Sequence, residues 1–269
     1  MTRAAKRRRL SSAVAVTLLV LLVLPGLAAA QSEEELAKQT QNPVASLISV
    51  PLQGNWDFGL GEREGTATLL NIQPVMPFPV SRSANLILRV IMPLTSQPGP
   101  DEARLNGFGD IVATAFFSPA KSGRVIWGAG PVFLVPSATN ASLGSEKFGI
   151  GPSAVALVQP GAWTIGALFN HIWSVSGAND RADVNSTFLQ PFANYNLGGG
   201  LSVGVTSEAT ANWEADEAWT APLLFNVSKV TRLGRRPVSF VFAAGPNIAS
   251  PEEGADWRFR MGVTFLFPR

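Results

Sequence analysis

The sequence predicts an all-β protein: a transmembrane antiparallel up-and-down β-barrel of about 12 strands that follows a cleaved signal peptide. Three observations lead to this prediction. The chain starts like an exported protein, its later runs alternate between apolar and polar residues, and aromatic residues stand at both ends of several runs. Beyond residue 30 no stretch approaches 18 uncharged apolar residues, which excludes a membrane protein built from helices.

The N-terminus has the three parts of a secretory signal peptide. Residues 6–9 are basic, residues 10–27 are uncharged and mostly apolar, and residues 28–30 are alanines that fit a cleavage site. A single transmembrane anchor is the alternative, although Pro25-Gly26 and the alanines favour cleavage. The predicted organisation is a signal peptide over 1–30, a periplasmic N-terminal segment or lumen plug over 31–46, and the transmembrane barrel over 47–269.

Composition excludes several functional classes. The chain has no cysteine, so disulfides and thiolate chemistry are impossible. Its net charge of +2 includes the basic start, and the remainder is slightly acidic, which argues against a nucleic-acid partner. We expect no cofactor.

Twelve strands are predicted from period-two alternation between turn-rich clusters. The pattern is clearest in the last strand, where Trp257, Phe259 and Met261 share one face and Arg258 and Arg260 share the other. The predicted strands are 50–59, 66–75, 85–93, 109–119, 124–135, 147–159, 162–175, 184–196, 200–213, 219–230, 237–248 and 256–267.

Alternation alone does not separate a membrane barrel from a soluble barrel or sandwich, but strand length and the positions of aromatic residues help to decide between them. Trp163 and Trp173 lie at opposite ends of one strand, and Trp257 and Phe267 at opposite ends of another. Such a tilted strand climbs about 25 Å, the height of the apolar band of a membrane barrel. The alternative is that aromatic residues simply favour strands. The predicted interfacial girdle consists of Trp163, Trp173, Trp213, Trp219, Trp257 and Phe267.

The connections and the prolines give further expectations. Odd-numbered connections include the long 94–108 and 136–146 and are acidic, whereas even-numbered ones are short and more basic. Because bacterial barrels place their longer loops outside, both termini are expected in the periplasm. Five prolines fall inside predicted strands, where a missing N–H should break the pairing locally. They are Pro131, Pro152, Pro191, Pro222 and Pro246.

Several segments carry a resemblance to a known family. They are Gln-Asn-Pro-Val-Ala at 41–45, Leu-Asn-Ile-Gln-Pro at 70–74, Gly-Phe-Gly-Asp-Ile at 107–111, and the stretches 149–154, 189–196, 211–215 and 254–257. In them the chain resembles a bacterial outer-membrane family related to the meta-pathway phenol-degradation proteins, often labelled "transporter" or, misleadingly, "neuromedin U". The resemblance implies a barrel that passes small compounds, including hydrophobic ones. Phe267, followed by Pro268 and Arg269, resembles the terminal aromatic that barrel-insertion machinery reads.

Inward-facing polar residues are the candidates for lining a lumen and setting its selectivity. Charges there must pair or meet water, so they form either a closed network that fills the barrel or the wall of a narrow pore. Residues 32–41 could also enter the lumen as a plug. The lumen candidates are Asn71, Gln73, Arg89, Asn170, Glu208, Asn212, Asn226, Arg258 and Arg260, with Glu208 expected deeper than the two C-terminal arginines.

No catalytic or metal-binding residue is predicted. His171 is the only histidine, and a barrel phospholipase would need a serine on the same face, where Trp173 stands instead. His171 is therefore interpreted as a girdle residue. Acidic loops could bind divalent cations that bridge lipopolysaccharide, but none shows an ordered calcium-ligand spacing, so solvation is the preferred explanation.

These patterns lead to a functional hypothesis. We expect a protein of the outer membrane that is not an enzyme and acts as a passive, porin-like channel for small solutes. Its expected partners are outer-membrane lipid and lipopolysaccharide, the barrel-insertion machinery and an unidentified small solute. The alternatives are a non-conducting barrel that anchors the envelope and a barrel enzyme acting on lipids.

Overall fold

Antiparallel strands make up most of the computed structural model, which describes residues 32–99, 103–216 and 218–268. The predicted signal peptide lies outside the described residues. The elements are α1 (Glu33–Thr40), β1 (Ile48–Leu60), β2 (Gly65–Ile72), β3 (Val75–Pro79), β4 (Ala84–Pro98), β5 (Arg104–Phe108), β6 (Ile111–Pro119), β7 (Ile126–Val135), a short 3-10 helix (Ala141–Leu143), β8 (Lys147–Val158), β9 (Trp163–Gly177), β10 (Asn185–Gly198), β11 (Leu201–Ser207), β12 (Ala209–Asn212), β13 (Trp219–Leu233), β14 (Arg236–Ala249) and β15 (Trp257–Phe267).

The fifteen segments form twelve barrel strands, as predicted. Three strands are each split in two by an irregularity, at Gln73-Pro74, at Gly109-Asp110 and at Glu208, and the two halves pair with the same neighbour. Strands that are consecutive in the chain pair with each other, while β1 pairs with β15 from Ile48↔Phe267 to Phe58↔Trp257. The sheet is therefore closed and has no free edge.

The outer face of this barrel is apolar. Phe225 and Ile248 are each 63% exposed, and Trp127 is 48% exposed. A soluble protein does not surround itself with such a surface, whereas lipid accommodates it, and a closed barrel satisfies its backbone groups without water. These features distinguish the chain from the soluble barrel and sandwich considered above. Among the described residues, no helix combines the length and apolarity needed to cross a bilayer.

The predicted breaks at prolines are confirmed. At Gly130-Pro131, Gly151-Pro152 and Gly245-Pro246, pairing with one neighbouring strand lapses and resumes in the same register. A Cβ on these glycines would collide with the carbonyl oxygens of Ala115, His171 and Leu223, respectively, so the close approach of the neighbouring strand requires glycine. Pairing also lapses beside Pro191, opposite Glu208, and the register shifts at Pro222.

One expectation was wrong, and one helix was not predicted. The predicted long connection 94–108 is mostly strand, because Leu94 to Pro98 of β4 pair with Phe108 to Arg104 of β5. This hairpin extension has a polar composition without an apolar alternating face, so its sequence resembles a loop. The helix α1 over residues 33–40 was not predicted, because the sequence indicated only an N-terminal segment or plug over 31–46. Eight residues are too few to display a helical period clearly.

The two ends of the barrel differ in their connections. The end that carries the odd-numbered connections, here the loop end, includes 136–146 and 178–184. The opposite end, here the turn end, includes 199–200 and 234–235 and receives the N-terminal segment, since Glu33 lies against Gly200. This asymmetry, with longer loops at one end, is typical of bacterial outer-membrane barrels.

Candidate functional site

The N-terminal segment, residues 32–47, packs against the barrel wall near the turn end. Ser32 caps α1 by accepting a hydrogen bond from the Glu35 backbone N–H at 3.1 Å. Leu36 and Ala37 of the helix are buried in one cluster with Val230 and Leu266 of the wall, which Ala45 and Leu47 complete. Burying two such side chains stabilises the docked helix, which is too short to be stable alone.

Neutral hydrogen bonds supplement this apolar contact. The Gln41 side-chain amide donates to Asn196 Oδ1 and to Ser202 Oγ, both at 3.0 Å. The Gln159 amide donates to the backbone carbonyl of Lys38 at 2.9 Å. The segment is thus attached to inward-facing residues of β10 and β11 without any ion pair among these contacts.

A second apolar cluster lies farther along the segment. Val44 packs with Ile87, Phe116, Leu168 and Phe192, which come from four different strands. In each of these strands the residues immediately before and after the wall residue face outward, so the wall residue itself faces inward. The cluster therefore lies in the interior of the barrel and not on its lipid-facing surface. The interior is therefore partly packed.

A group of polar and charged residues, here called the polar belt, occupies another part of the interior. Arg258 binds Asp57 through Nε at 2.6 Å and Nη2 at 2.9 Å. Arg260 donates from Nε to Asn55 at 2.7 Å and through its two Nη atoms to both oxygens of Glu208, at 2.8 and 2.5 Å. The polar belt consists of Asn55, Asp57, Gln73, Arg89, Gln190, Glu208, Arg258 and Arg260.

The Arg260–Glu208 pair joins separate parts of the wall. Arg260 belongs to β15 and Glu208 interrupts the strand formed by β11 and β12, and β13 and β14 lie between them in the sheet. The two side chains therefore meet inside the curve of the wall rather than between neighbouring strands. Glu208 also accepts a hydrogen bond from the Gln190 amide at 3.3 Å.

Arg89, the third arginine of the polar belt, is bound to a neutral side chain instead of a carboxylate. Its Nη2 donates to Gln73 Oε1 at 2.9 Å, and Gln73 sits at the interruption between β2 and β3. Both Gln73 and Glu208 therefore occupy places where a strand is irregular. Arg89 has no carboxylate within ion-pair distance in the part of the chain that the structure describes.

A cavity of about 270 Å³ separates the N-terminal segment from the polar belt. The segment contributes Gln41 and Pro43 to its lining, and the wall contributes Arg89, Arg260 and Phe192. A space of this size admits several waters or one small molecule.

The structure brings together part of the predicted lumen set. Gln73, Arg89, Asn226 and Arg260 line the cavity, and Glu208 and Arg258 join the polar belt. Glu208 was expected deeper than Arg260, but the two side chains are in direct contact. Asn71, Asn170 and Asn212 take no part in these contacts, and Asn212 is exposed at the end of β12.

Sequence reasoning missed Asn55, Asp57 and Gln190 as partners. A period-two signal was present, because Gln53, Asn55 and Asp57 occupy one face of β1, with Trp56 and Phe58 on the other. Their pairing with arginines near the other end of the chain depends on barrel closure.

The predicted girdle residues are on the outer surface. Trp163 is 45% exposed and stacks edge-on with Tyr195, with ring centroids 4.9 Å apart. Trp213 and Trp219 face each other across their loop at 5.8 Å, also edge-on. Trp257 begins β15 and Phe267 ends it, whereas Trp173 lies four residues before the end of β9, and all three are on the outward face.

His171 lies within this aromatic surface. Its Nδ1 is 2.7 Å from Thr187 Oγ1, which also accepts a hydrogen bond from Trp213 Nε1 at 2.8 Å. Its ring packs against Trp173 with centroids 4.1 Å apart. Ser174 instead donates to Asp183 in the following connection. These contacts hold the imidazole beside tryptophans, away from the cavity.

Charged contacts also order the loop end. Lys147 Nζ lies 3.0 Å from Asp183 Oδ1, with the lysine side chain buried and the carboxylate exposed. Hydrogen bonds from Lys147 and then from Ser174 lower the pKa of Asp183 below its ordinary value, and the Lys147 charge adds to this. Asp110 accepts three backbone N–H bonds, from Ser137, Ala138 and Ser145.

Of the comparisons with known proteins, the one with solved structures finds similar folds. No protein-family model and no curated protein sequence matches the chain. Among solved structures, an outer-membrane channel from Pseudomonas putida F1 matches with a TM-score of 0.61 and 14% identity, over 91% of this chain and 100% of that one. Outer membrane phospholipase A from Escherichia coli gives 0.47 and 11%, over 89% and 99%. The CymD monoaromatic hydrocarbon channel gives 0.45 and 10%, over 91% and 95%.

The chain has the fold of an outer-membrane β-barrel. At these identities the similarity concerns architecture and does not transfer an activity.

Proposed function

We propose that this protein is a passive outer-membrane channel for small solutes, including hydrophobic ones, and that it catalyses no reaction. The observation that carries the proposal is the cavity, bounded by wall residues on one side and by the N-terminal segment on the other. Twelve strands lie between the eight of filled small barrels and the sixteen of open porins, so removing an interior segment is expected to leave a narrow passage.

The N-terminal segment is proposed to be a plug and the polar belt to be the selectivity region. The segment is held by apolar packing and neutral hydrogen bonds, and their loss would leave no buried charge without a partner. Two guanidinium–carboxylate pairs in the belt, Arg258–Asp57 and Arg260–Glu208, join wall residues to each other and would remain on the wall when the segment moves. A solute would then pass beside fixed charges.

Family membership and partners belong to the same proposal. The resemblance to the phenol-degradation transporter family, together with the fold shared with the Pseudomonas putida channel, supports a channel rather than an enzyme. The exposed girdle suits the headgroup region of a lipid and lipopolysaccharide bilayer, and Phe267 at the end of β15 suits recognition by insertion machinery.

Conductance in planar bilayers tests the proposal. We would record the refolded mature protein and two variants of α1: Leu36→Asp, which places a charge in the buried cluster, and Glu34→Asp, a change on the exposed side of the same helix. A chain lacking residues 32–41 provides the fully unplugged comparison. We expect rare openings for the parent and for Glu34→Asp, and frequent, larger currents for Leu36→Asp and the truncated chain.

The absence of current from all four proteins would contradict the proposal that this protein is a channel, provided that heat-modifiable migration on a gel shows that each has folded. That outcome would favour the non-conducting, anchoring barrel. Equal currents from the parent and Leu36→Asp would retain the channel and exclude the plug. Hydrolysis of a phospholipid by the parent, lost in His171→Ala, would contradict the absence of catalysis.

A further inference from the structure

Charge balance within the polar belt leaves one cation over. The belt contains three guanidinium groups, from Arg89, Arg258 and Arg260, and two carboxylates, from Asp57 and Glu208. Arg258 takes both oxygens of Asp57, and Arg260 takes both oxygens of Glu208. Arg89 is left with a neutral amide oxygen, although Glu208 lies near enough to attract it electrostatically.

An unpaired guanidinium in the interior has an unfavourable free energy when no ligand is bound. A partly enclosed cation without a bound anion must keep water around it, because desolvating an unpaired charge is strongly unfavourable. Among the described residues, Gln73 alone accepts a hydrogen bond from Arg89, which uses one of the five guanidinium N–H donors. The remaining donors belong to a side chain that lines the cavity.

The other walls of the cavity indicate what kind of anion fits. Neutral polar groups, including Gln53 and Asn226, lie beside apolar side chains, including Val75, Phe192 and Val241. The described residues that line the cavity include no carboxylate. An anion with a compact apolar body would satisfy both kinds of surface. A volume of about 270 Å³ limits the body to roughly the size of one ring, because the pockets of drug-sized ligands begin at about 300 Å³.

We propose that the cavity is a binding subsite for a small organic carboxylate, whose carboxylate Arg89 receives in a two-pronged contact while its apolar body lies against Phe192 and Val75. This inference rests on the proposed channel function and names the class of solute for which the channel would be selective. A planar guanidinium suits the contact because its paired donors match the two oxygens of a carboxylate.

Binding can be measured without any membrane current. We would titrate the folded mature protein in detergent micelles with benzoate, with its uncharged analogue benzamide and with inorganic phosphate, using calorimetry and a protein-free micelle blank. Benzoate should bind, while benzamide and phosphate should bind at least tenfold more weakly. Arg89→Gln should weaken benzoate binding at least tenfold, and Arg89→Lys should weaken it less.

Arg104→Gln is the matched control, because Arg104 lies in β5, its guanidinium donates to Ser96 and to the Thr66 backbone carbonyl, and it is not among the described residues that line the cavity. It should bind benzoate like the parent. The proposal is overturned if the parent does not bind benzoate, if benzamide or phosphate binds equally well, or if Arg89→Gln leaves benzoate binding unchanged. Should Arg89→Gln fail to fold, the comparison of benzoate with benzamide on the parent decides.

The two proposals fail separately. A barrel that is silent in bilayers but binds benzoate would refute the channel and retain the subsite. A barrel that conducts but shows no preference for benzoate would retain the channel and refute the subsite.

Discussion

The N-terminal segment and the polar belt both fill the interior, but opposite kinds of interaction hold them. The segment is contiguous in sequence and is attached by buried side chains such as Leu36 and by the amide of Gln41. The belt joins residues separated by 201 positions, as in Arg258 with Asp57. Apolar and neutral contacts can separate and be replaced by water at moderate cost, whereas a charge deprived of its partner cannot easily remain buried. The segment is therefore the part suited to move, and the belt the part suited to stay.

The largest expected effect comes from breaking the belt at Glu208. Glu208→Gln keeps the shape of the side chain but leaves Arg260 without a counter-charge, which should lower the free energy of unfolding by about 3 kcal/mol. Urea unfolding in phospholipid vesicles measures the loss. Glu214→Gln, in an exposed loop, is the control and should change little.

Combining Glu208→Gln with Arg260→Met sharpens this test. Because the double change removes both charges, it should recover most of the lost stability. A double variant as unstable as the sum of the single ones would mean that the pair is not energetically coupled.

A smaller effect is expected from loosening the segment. Gln41→Leu removes the hydrogen bonds to Asn196 and Ser202, which should weaken docking by about 1.4 kcal/mol and raise the undocked population about tenfold. Hydrogen exchange of the α1 amides, followed by mass spectrometry, should accelerate while the barrel strands remain protected. Gln39→Leu, two residues away, should leave exchange unchanged. Acceleration throughout the barrel would instead show that the segment is part of the fold's core.

The smallest effect concerns the ion pair between the buried Lys147 and the exposed Asp183 at the loop end, which belongs to neither region. The pKa of Asp183 is lowered in the folded protein, so its contribution to stability is present at neutral pH and is lost as the pH falls through that lowered pKa. The melting temperature of the parent should exceed that of Asp183→Asn at neutral pH and converge with it in strong acid. Asp180→Asn, in the same connection, should follow the parent. Parallel curves for the parent and Asp183→Asn would contradict the assignment.

The wall of the barrel was predictable because lipid imposes a simple rule on sequence. Outward residues must be apolar, so β15 alternates visibly between Trp257, Phe259 and Met261 and its inward residues. The rule does not apply where the chain leaves the lipid, which is why the sequence of the β4–β5 hairpin predicts a loop although its residues pair as strands. The helix α1 left a weaker trace, since Ser32 followed three residues later by Glu35 is a capping pattern.

Partners inside the barrel were much harder to predict. Alternation indicated that Arg260 and Glu208 face inward, but their contact depends on the curvature of a closed sheet and on the irregularity at Glu208. Asp57 escaped notice because its partner lies near the other end of the chain. Period-two patterns therefore predict the face to which a side chain points, but they do not predict which residues it contacts.

The glycine–proline pairs have a consequence for how this sequence can vary. At Gly130, Gly151 and Gly245 a neighbouring carbonyl occupies the space that any larger residue would need, and the following proline has no N–H to offer. Substituting the proline alone would introduce a donor beside an interrupted ladder, and substituting the glycine alone would push two strands apart. Each pair should therefore be inherited as a unit, and homologues of this barrel are expected to keep or lose both residues together.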